Sequence, residues 1–144
     1  MALDVKEKVN ALRKKYSTSN PFALAKALGI TILYEDLGMI LGYFDQHFRM
    51  QTIHINTAAP DELKPYICAH ELGHAVLHAK VNTPFLSAYT LFSVAKIERQ
   101  ANTFAVELLL PDETLTEYPE YSIHDIAYMA GISRGMEQLK NIRR

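Results

Sequence analysis

Residues 69–78 read "AHELGHAVLH", and the reading of the whole chain turns on what His70, Glu71 and His74 do there. In an α-helix, positions i and i+4 differ by roughly 40° in direction and one turn in height. His70 and His74 therefore point the same way and can share one ion, for which neutral imidazole is a good ligand. Glu71 follows the first of them directly. Its carboxylate falls beside such an ion, near enough to touch a bound water and poorly placed to displace it. Two ligands and a general base thus occupy one helical turn. Gly73 costs about 1 kcal/mol against alanine in mid-helix, so it is expected to leave room for substrate or for a packed backbone. The competing reading is a solvent-facing helix with scattered histidines.

Two histidines are too few for a catalytic zinc site, so a third protein ligand is needed. His78 cannot join them, because roughly 12 Å of helix rise separates it from His70; it is expected to be a partly buried neighbour. Leu77 and Lys80 stand where the longer H-E-x-x-H-x-x-G-x-x-H pattern needs Gly and His. Cys68 lies about 200° round the helix from His70 and reads as a core thiol. In "IERQANTFA" (97–105), Glu98, Ala101, Asn102 and Ala105 form one stripe at three- and four-residue spacings. The alanines admit a neighbouring helix closely. On that stripe Glu98 would project at the His70–His74 face, with Asn102 one turn on. Spacing alone leaves Glu98 as either the third ligand or a solvated charge beside Arg99.

The rest of the chain sets bounds. With 144 residues, 49% hydrophobic and 22% charged, it is long enough for one domain with a real core. The single cysteine excludes an intrachain disulfide, and a reducing, cytoplasmic setting is expected. No signal peptide is visible in "MALDVKEKVN", and no apolar run reaches the roughly 18 residues of a membrane span. A net charge of −1 offers no general attraction to nucleic acid.

Val5, Val9, Leu12 and Tyr16 predict an amphipathic helix over 3–16. "STSNP" stops it, and Asn20 and Pro21 cap and open a second helix that ends at Gly29. Strands are expected at 30–34, 39–44 and 49–55, the last two joined through "DQH" as an antiparallel hairpin. Helices follow at 66–79 and 93–111, with 81–90 irregular between them. Ser122 and Asp125 form a capping box for a helix to about Ala130; Gly131 turns, and Ser133 opens a last helix. Strands grouped ahead of helices indicate an α+β fold with a small antiparallel three-stranded sheet. Residues 1–144 are expected to be one domain, with 119–144 a helix-turn-helix-like subdomain.

"AHELGHAVLH" followed by "IERQANTFAVELLLP" resembles the paired motifs of the ImmA/IrrE metallopeptidases, H-E-L-G-H and then E-x-x-A-N-x-F-A running into proline. "GITILYEDLG" and "IHIN" resemble the region ahead of that family's active-site helix, so the likeness covers roughly 20–135. The resemblance implies a zincin-like minimal metallopeptidase, its sheet packed on the active-site helix and on a second ligand-bearing helix. It implies one zinc ion held by His70, His74 and Glu98. Its small members, typically encoded by phages or integrative elements, cleave a helix-turn-helix repressor. The partner implied is thus a protein, with no membrane.

In that reading the zinc supplies a polarised water, and Glu71 takes its proton and passes it to the leaving amine. Asn102 is the candidate for orienting a ligand. His124, Tyr89 and Tyr121 are the candidates for steadying the oxyanion. Zinc is favoured by the two-His, one-carboxylate set, with iron, manganese and cobalt as the alternatives. Three other readings compete: a regulator that binds its repressor without cutting it, a small-substrate zinc hydrolase, and a DNA-binding regulator using the C-terminal helices. For the last, Lys140, Arg143, Arg144 and Arg134, less Glu137, give a local +3. Against it, Glu137 sits where a second helix needs an apolar residue.

Overall fold

The computed structural model describes residues 4–79 and 91–140. Helix α1 spans Val5–Tyr16. Asp4 caps it by accepting from the Glu7 N–H, and Ser17 ends it in the left-handed region. Helix α2, Pro21–Ala27, starts as its sequence dictates: the Asn20 side chain accepts from the N–H groups of Phe22 and Ala23, and proline sits in the first turn. Gly29, at φ 76°, turns the chain out of it.

Strands β1 (Thr31–Glu35), β2 (Gly42–His47) and β3 (Met50–Asn56) form one sheet in the order β1-β3-β2. The expected all-antiparallel sheet is corrected here. β2 pairs antiparallel with β3, but β1 pairs parallel with β3, from Thr31 opposite Thr52 to Glu35 opposite Asn56. The loop at 36–41 is the reason. The buried Asn56 donates from Nδ2 to the carbonyls of Gly38 and Ile40, both at 2.9 Å. That holds the loop across the end of β3, so β2 lies on its far side rather than beside β1. The hairpin turn also differs from expectation. It falls at Phe48–Arg49, with φ 50° and 72°, and β2 runs on through Asp45, Gln46 and His47. Positive φ at both central residues matches the right-handed twist of the strands, which is why two-residue hairpins use such turns.

A short 3₁₀ turn at Asp61–Leu63 leads into α3, Lys64–Leu77, and α4 runs from Leu91 to Leu109. Helix α3 is the middle of the molecule. It packs against α4 on one side and against β2, β3 and α2 on others. Leu72 and Ala69 are fully buried on it, as are Phe104, Ala105 and Leu108 on α4. The expected core position of Cys68 holds: it is buried, and burial, then the charge of Glu71, push its thiol up to about 12.

After Pro111 comes helix α5, Asp112–Glu117, which is not among the elements expected from the sequence, and α6 follows at Ile123–Met129 with Ser122 capping through the Asp125 N–H. The last helix expected from Ser133 is, within the described residues, one 3₁₀ turn at Met136–Leu139. Lys140 ends that turn inside the protein. Its Nζ lies 2.6 Å from Glu107 and 2.7 Å from Asp112. A lysine so engaged is not available to phosphate, which removes one charge from the basic cluster on which the DNA reading drew; Arg143 and Arg144 lie outside the described residues. The segment 81–90, expected to be irregular, and Tyr89 within it also lie outside them. Among the described residues no helix is long and apolar enough to cross a membrane.

Candidate metal centre

The approach of α3 to α4 sets the site. Gly73 faces α4, and a Cβ built on it would lie 3.0 Å from Phe104 Cβ and 3.1 Å from the Ala101 backbone. Of the two uses foreseen for this glycine, packed backbone is the one realised. Ala101 and Ala105 are the small residues on the opposing face, both fully buried. Gly73→Ala is expected to destabilise the fold by about 1–2 kcal/mol, the strain of overpacking outweighing the better helix propensity. Thermal unfolding of the variant measures this, and an unchanged or raised midpoint would mean that the helices separate at no cost.

The close crossing brings Glu98 over the first two turns of the motif. Its Oε2 lies 3.1 Å from His70 Nε2 and its Oε1 2.9 Å from His74 Nε2. His74 is fully buried, which disposes of the solvent-facing helix. Its Nε2 has no hydrogen bond of good geometry despite the Glu98 contact, so the nitrogen and the carboxylate converge on a common point rather than aligning along an N–H. His70, Glu71 and His74 each offer a donor atom within 4.8 Å of the others. Two imidazole nitrogens at 3.1 and 2.9 Å from the one Glu98 carboxylate match the donor types and spacing of a tetrahedral zinc or similar divalent ion, whose ligands lie about 3.3 Å apart. The residues present therefore fit a metal.

The electrostatics agree. Burial pushes the Glu71 carboxyl up to about 7, the His70 charge opposing and Glu98 adding to the effect. Burial would also raise Glu98, but the two imidazoles against it hold it well below the usual carboxylate range. Burial opposes protonation of His70, yet its contact with Glu98 and the charges of Glu71 and Glu98 outweigh this and raise it. For His74 burial prevails over the Glu98 contact, and the imidazole is lowered.

Asn102 Oδ1 lies 2.8 Å from His70 Nδ1 and accepts from the Tyr66 hydroxyl at 2.7 Å. An acceptor oxygen requires the hydrogen on Nδ1, so in the neutral ring Nε2 is the nitrogen left to face Glu98 with its lone pair. Tyr66 was not singled out in the sequence, although it stands four residues before His70 and so shares its face. His78 is half-buried, as expected, but it is more than a neighbour: its Nδ1 lies 3.2 Å from His74 Nδ1 and its Nε2 2.7 Å from Gln100 Oε1.

The donor cluster opens into a cleft of about 680 Å³. His70, Glu71 and Glu98 line it, together with Tyr66, Asn102, Met39, Ile40 and Leu41. Gly42 lets β2 pass close over α3 here, since a Cβ would meet Ile67 Cγ2 and the His54 carbonyl at 2.7 Å, with Glu71 Cγ at 3.7 Å. Neither His124 nor Tyr121 lines this cleft. His124 bonds Glu137 at 2.7 Å beside a different groove, and Tyr121 packs on Tyr118.

An α+β fold with a His/Glu/His cluster at the floor of a cleft is the arrangement of a metallopeptidase. The chain belongs to the IrrE N-terminal-like domain family of peptidases, whose model matches residues 25–140. It is 43% identical, over 96% of its length and 89% of the other's, to "Uncharacterized immunity region protein 2" of Bacillus phage phi105. It is 34% identical, over 81% of its length and 69% of the other's, to "Metallopeptidase ImmA" of Bacillus subtilis (strain 168).

Proposed function

We propose that this protein is a zinc-dependent endopeptidase that acts in the cytoplasm and cleaves a helix-turn-helix repressor, with His70, His74 and Glu98 holding one Zn²⁺ and Glu71 as general base. The observation that carries the reading is the Glu98 carboxylate, delivered by a separate helix to within 3.1 Å of both Nε2 atoms. A zinc ion bound there would polarise a water and the scissile carbonyl. Glu71, buried and poised near neutrality, is suited to accept a proton at its carboxylate and return it to the departing amine. Asn102 keeps the His70 proton on Nδ1 and so leaves Nε2 for the metal. The apolar wall at Met39, Ile40 and Leu41, all well exposed, would receive an apolar stretch of a protein substrate. The likeness to a phage immunity-region protein supports a role in phage immunity. Residues 1–144 would work as one domain, with the C-terminal segment from 119 a subdomain of it rather than a reader of DNA.

The test is incubation with a candidate helix-turn-helix repressor, with and without a chelator, followed by mass spectrometry of the fragments. Metal-dependent cleavage at one site is expected; an intact repressor in the metal-loaded arm would defeat the reading. Glu98→Ala should lower zinc affinity by more than about 100-fold, because outer partners of a ligand are themselves worth roughly 10–100-fold. Competition with a chromophoric chelator reads that loss, and affinity equal to wild type would remove Glu98 from the ligand set.

A further inference from the structure

Asn102 settles the tautomer of His70 directly, but His74 touches no amide. Its Nδ1 faces another imidazole, that of His78, at 3.2 Å. Exactly one proton can sit between two such nitrogens, and the His74–His78 contact by itself does not say whose it is. The far side of His78 decides. Its Nε2 lies 2.7 Å from Gln100 Oε1, an acceptor, so Nε2 carries the hydrogen and Nδ1 is bare. A bare His78 Nδ1 must receive the His74 Nδ1–H, and His74 Nε2 is then the lone pair that faces Glu98.

We infer that His78 and Gln100 are positioning residues that act in series to hold the proton of His74 on Nδ1 and its ring in the orientation for metal binding. The backbone supports this: the His78 N–H donates to the His74 carbonyl at 2.7 Å and so fixes His78 at the end of α3. The rings lie 5.3 Å apart, tilted by 51°. Helix α4 thus presents Glu98 toward the two Nε2 atoms, Asn102 toward His70 Nδ1 and Gln100 toward His78 Nε2. Reversing the Gln100 amide would invert every proton in the chain and put a hydrogen on His74 Nε2, which blocks that nitrogen. The orientation is therefore a definite commitment with an opposite alternative.

The inference rests on the reading of His74 as a metal ligand, and zinc binding by the wild type and its variants separates the two. Competition with a chromophoric chelator, using zinc alone, should show Gln100→Leu and His78→Phe each weakened by about 10–100-fold. The double variant should bind no more weakly than His78→Phe alone, because residues in series are not additive. Gln100→Glu, which keeps an acceptor, should restore binding. Long-range proton–nitrogen NMR of the zinc-loaded wild type should find the His78 hydrogen on Nε2. Wild-type affinity in Gln100→Leu, additive losses, no rescue by Gln100→Glu, or a hydrogen on His78 Nδ1 would each overturn the relay while leaving the metal site intact. Failure of the wild type to bind zinc would overturn both.

Discussion

Glu71→Gln is expected to lower peptide cleavage by about 10²–10⁴-fold, the usual worth of a positioned general base, while zinc affinity stays near wild type. Gln matches the shape of Glu but takes no proton, and the carboxylate in contact with both imidazole Nε2 atoms is that of Glu98. The same substitution separates cutting from sequestration: a variant that still relieves repression as well as wild type would show that binding suffices. It also has a stability signature of opposite sign. The folded-state value of Glu71 is raised from 4.5 to about 7, chiefly by burial. A raised carboxyl contributes stability fully below its unfolded value and loses it as pH rises through the folded one. At about 1.4 kcal/mol per pKa unit, the loss between pH 4.5 and 7 is of order 3 kcal/mol in the metal-free protein. With chelator present, Glu71→Gln should therefore be more stable than wild type at pH 8, and the advantage should vanish near pH 4.5. Urea unfolding at both pH values measures it, and a difference independent of pH would refute the burial argument. A cation near Glu71 would reverse the balance by stabilising the carboxylate, so this cost is expected only in the metal-free protein.

Lys140→Met is expected to destabilise the fold by about 3–5 kcal/mol, the penalty for removing one partner of a buried ion pair. Lys140 is wholly enclosed and Glu107 is 2% exposed, at 2.6 Å from each other. Asp112 completes the group: hydrogen bonding from Lys140 first, then from Lys6, holds its carboxyl below the usual range. Glu107 belongs to α4, so this cluster ties the C-terminal turn and α1 to the helix that bears Glu98. Replacing both partners, as in Lys140→Met with Glu107→Leu, should recover much of the loss, because a hydrophobic pair of similar volume does not strand a charge. Chemical denaturation of the single and double variants measures both. A single-variant loss under about 1 kcal/mol would mean that water reaches Glu107, as at an exposed pair.

Local chemistry was legible along the chain. Asn20 and Pro21 open α2, Ser122 opens α6, and the pairing of His70 with His74 on one helical face follows from a four-residue spacing. Each depends on neighbours within a turn, and periodicity reports such neighbours faithfully. The stripe of Glu98, Ala101, Asn102 and Ala105 likewise marked the face of α4 that meets α3. Three features were out of reach. The parallel pairing of β1 with β3 depends on Asn56 holding the 36–41 loop, a contact across the chain that strand propensity does not encode. The hairpin turn at Phe48–Arg49 carries no glycine or asparagine to announce it. The helix expected after Ser133 gives way to a 3₁₀ turn that delivers Lys140 to Glu107 and Asp112.

By itself, then, the order of residues determined the helix that carries His70, Glu71 and His74, the grouping of strands before helices, and the face on which a third donor would have to lie. Only the tertiary structure decided that Glu98 meets both imidazoles, that Gly73 exists for the Ala101 backbone, and that Gln100 reaches His74 through His78. The physical reason is range. A helix turn is specified by residues three and four apart, whereas a convergent site needs two helices at one separation and one rotation, and that is set by the packing of the whole core.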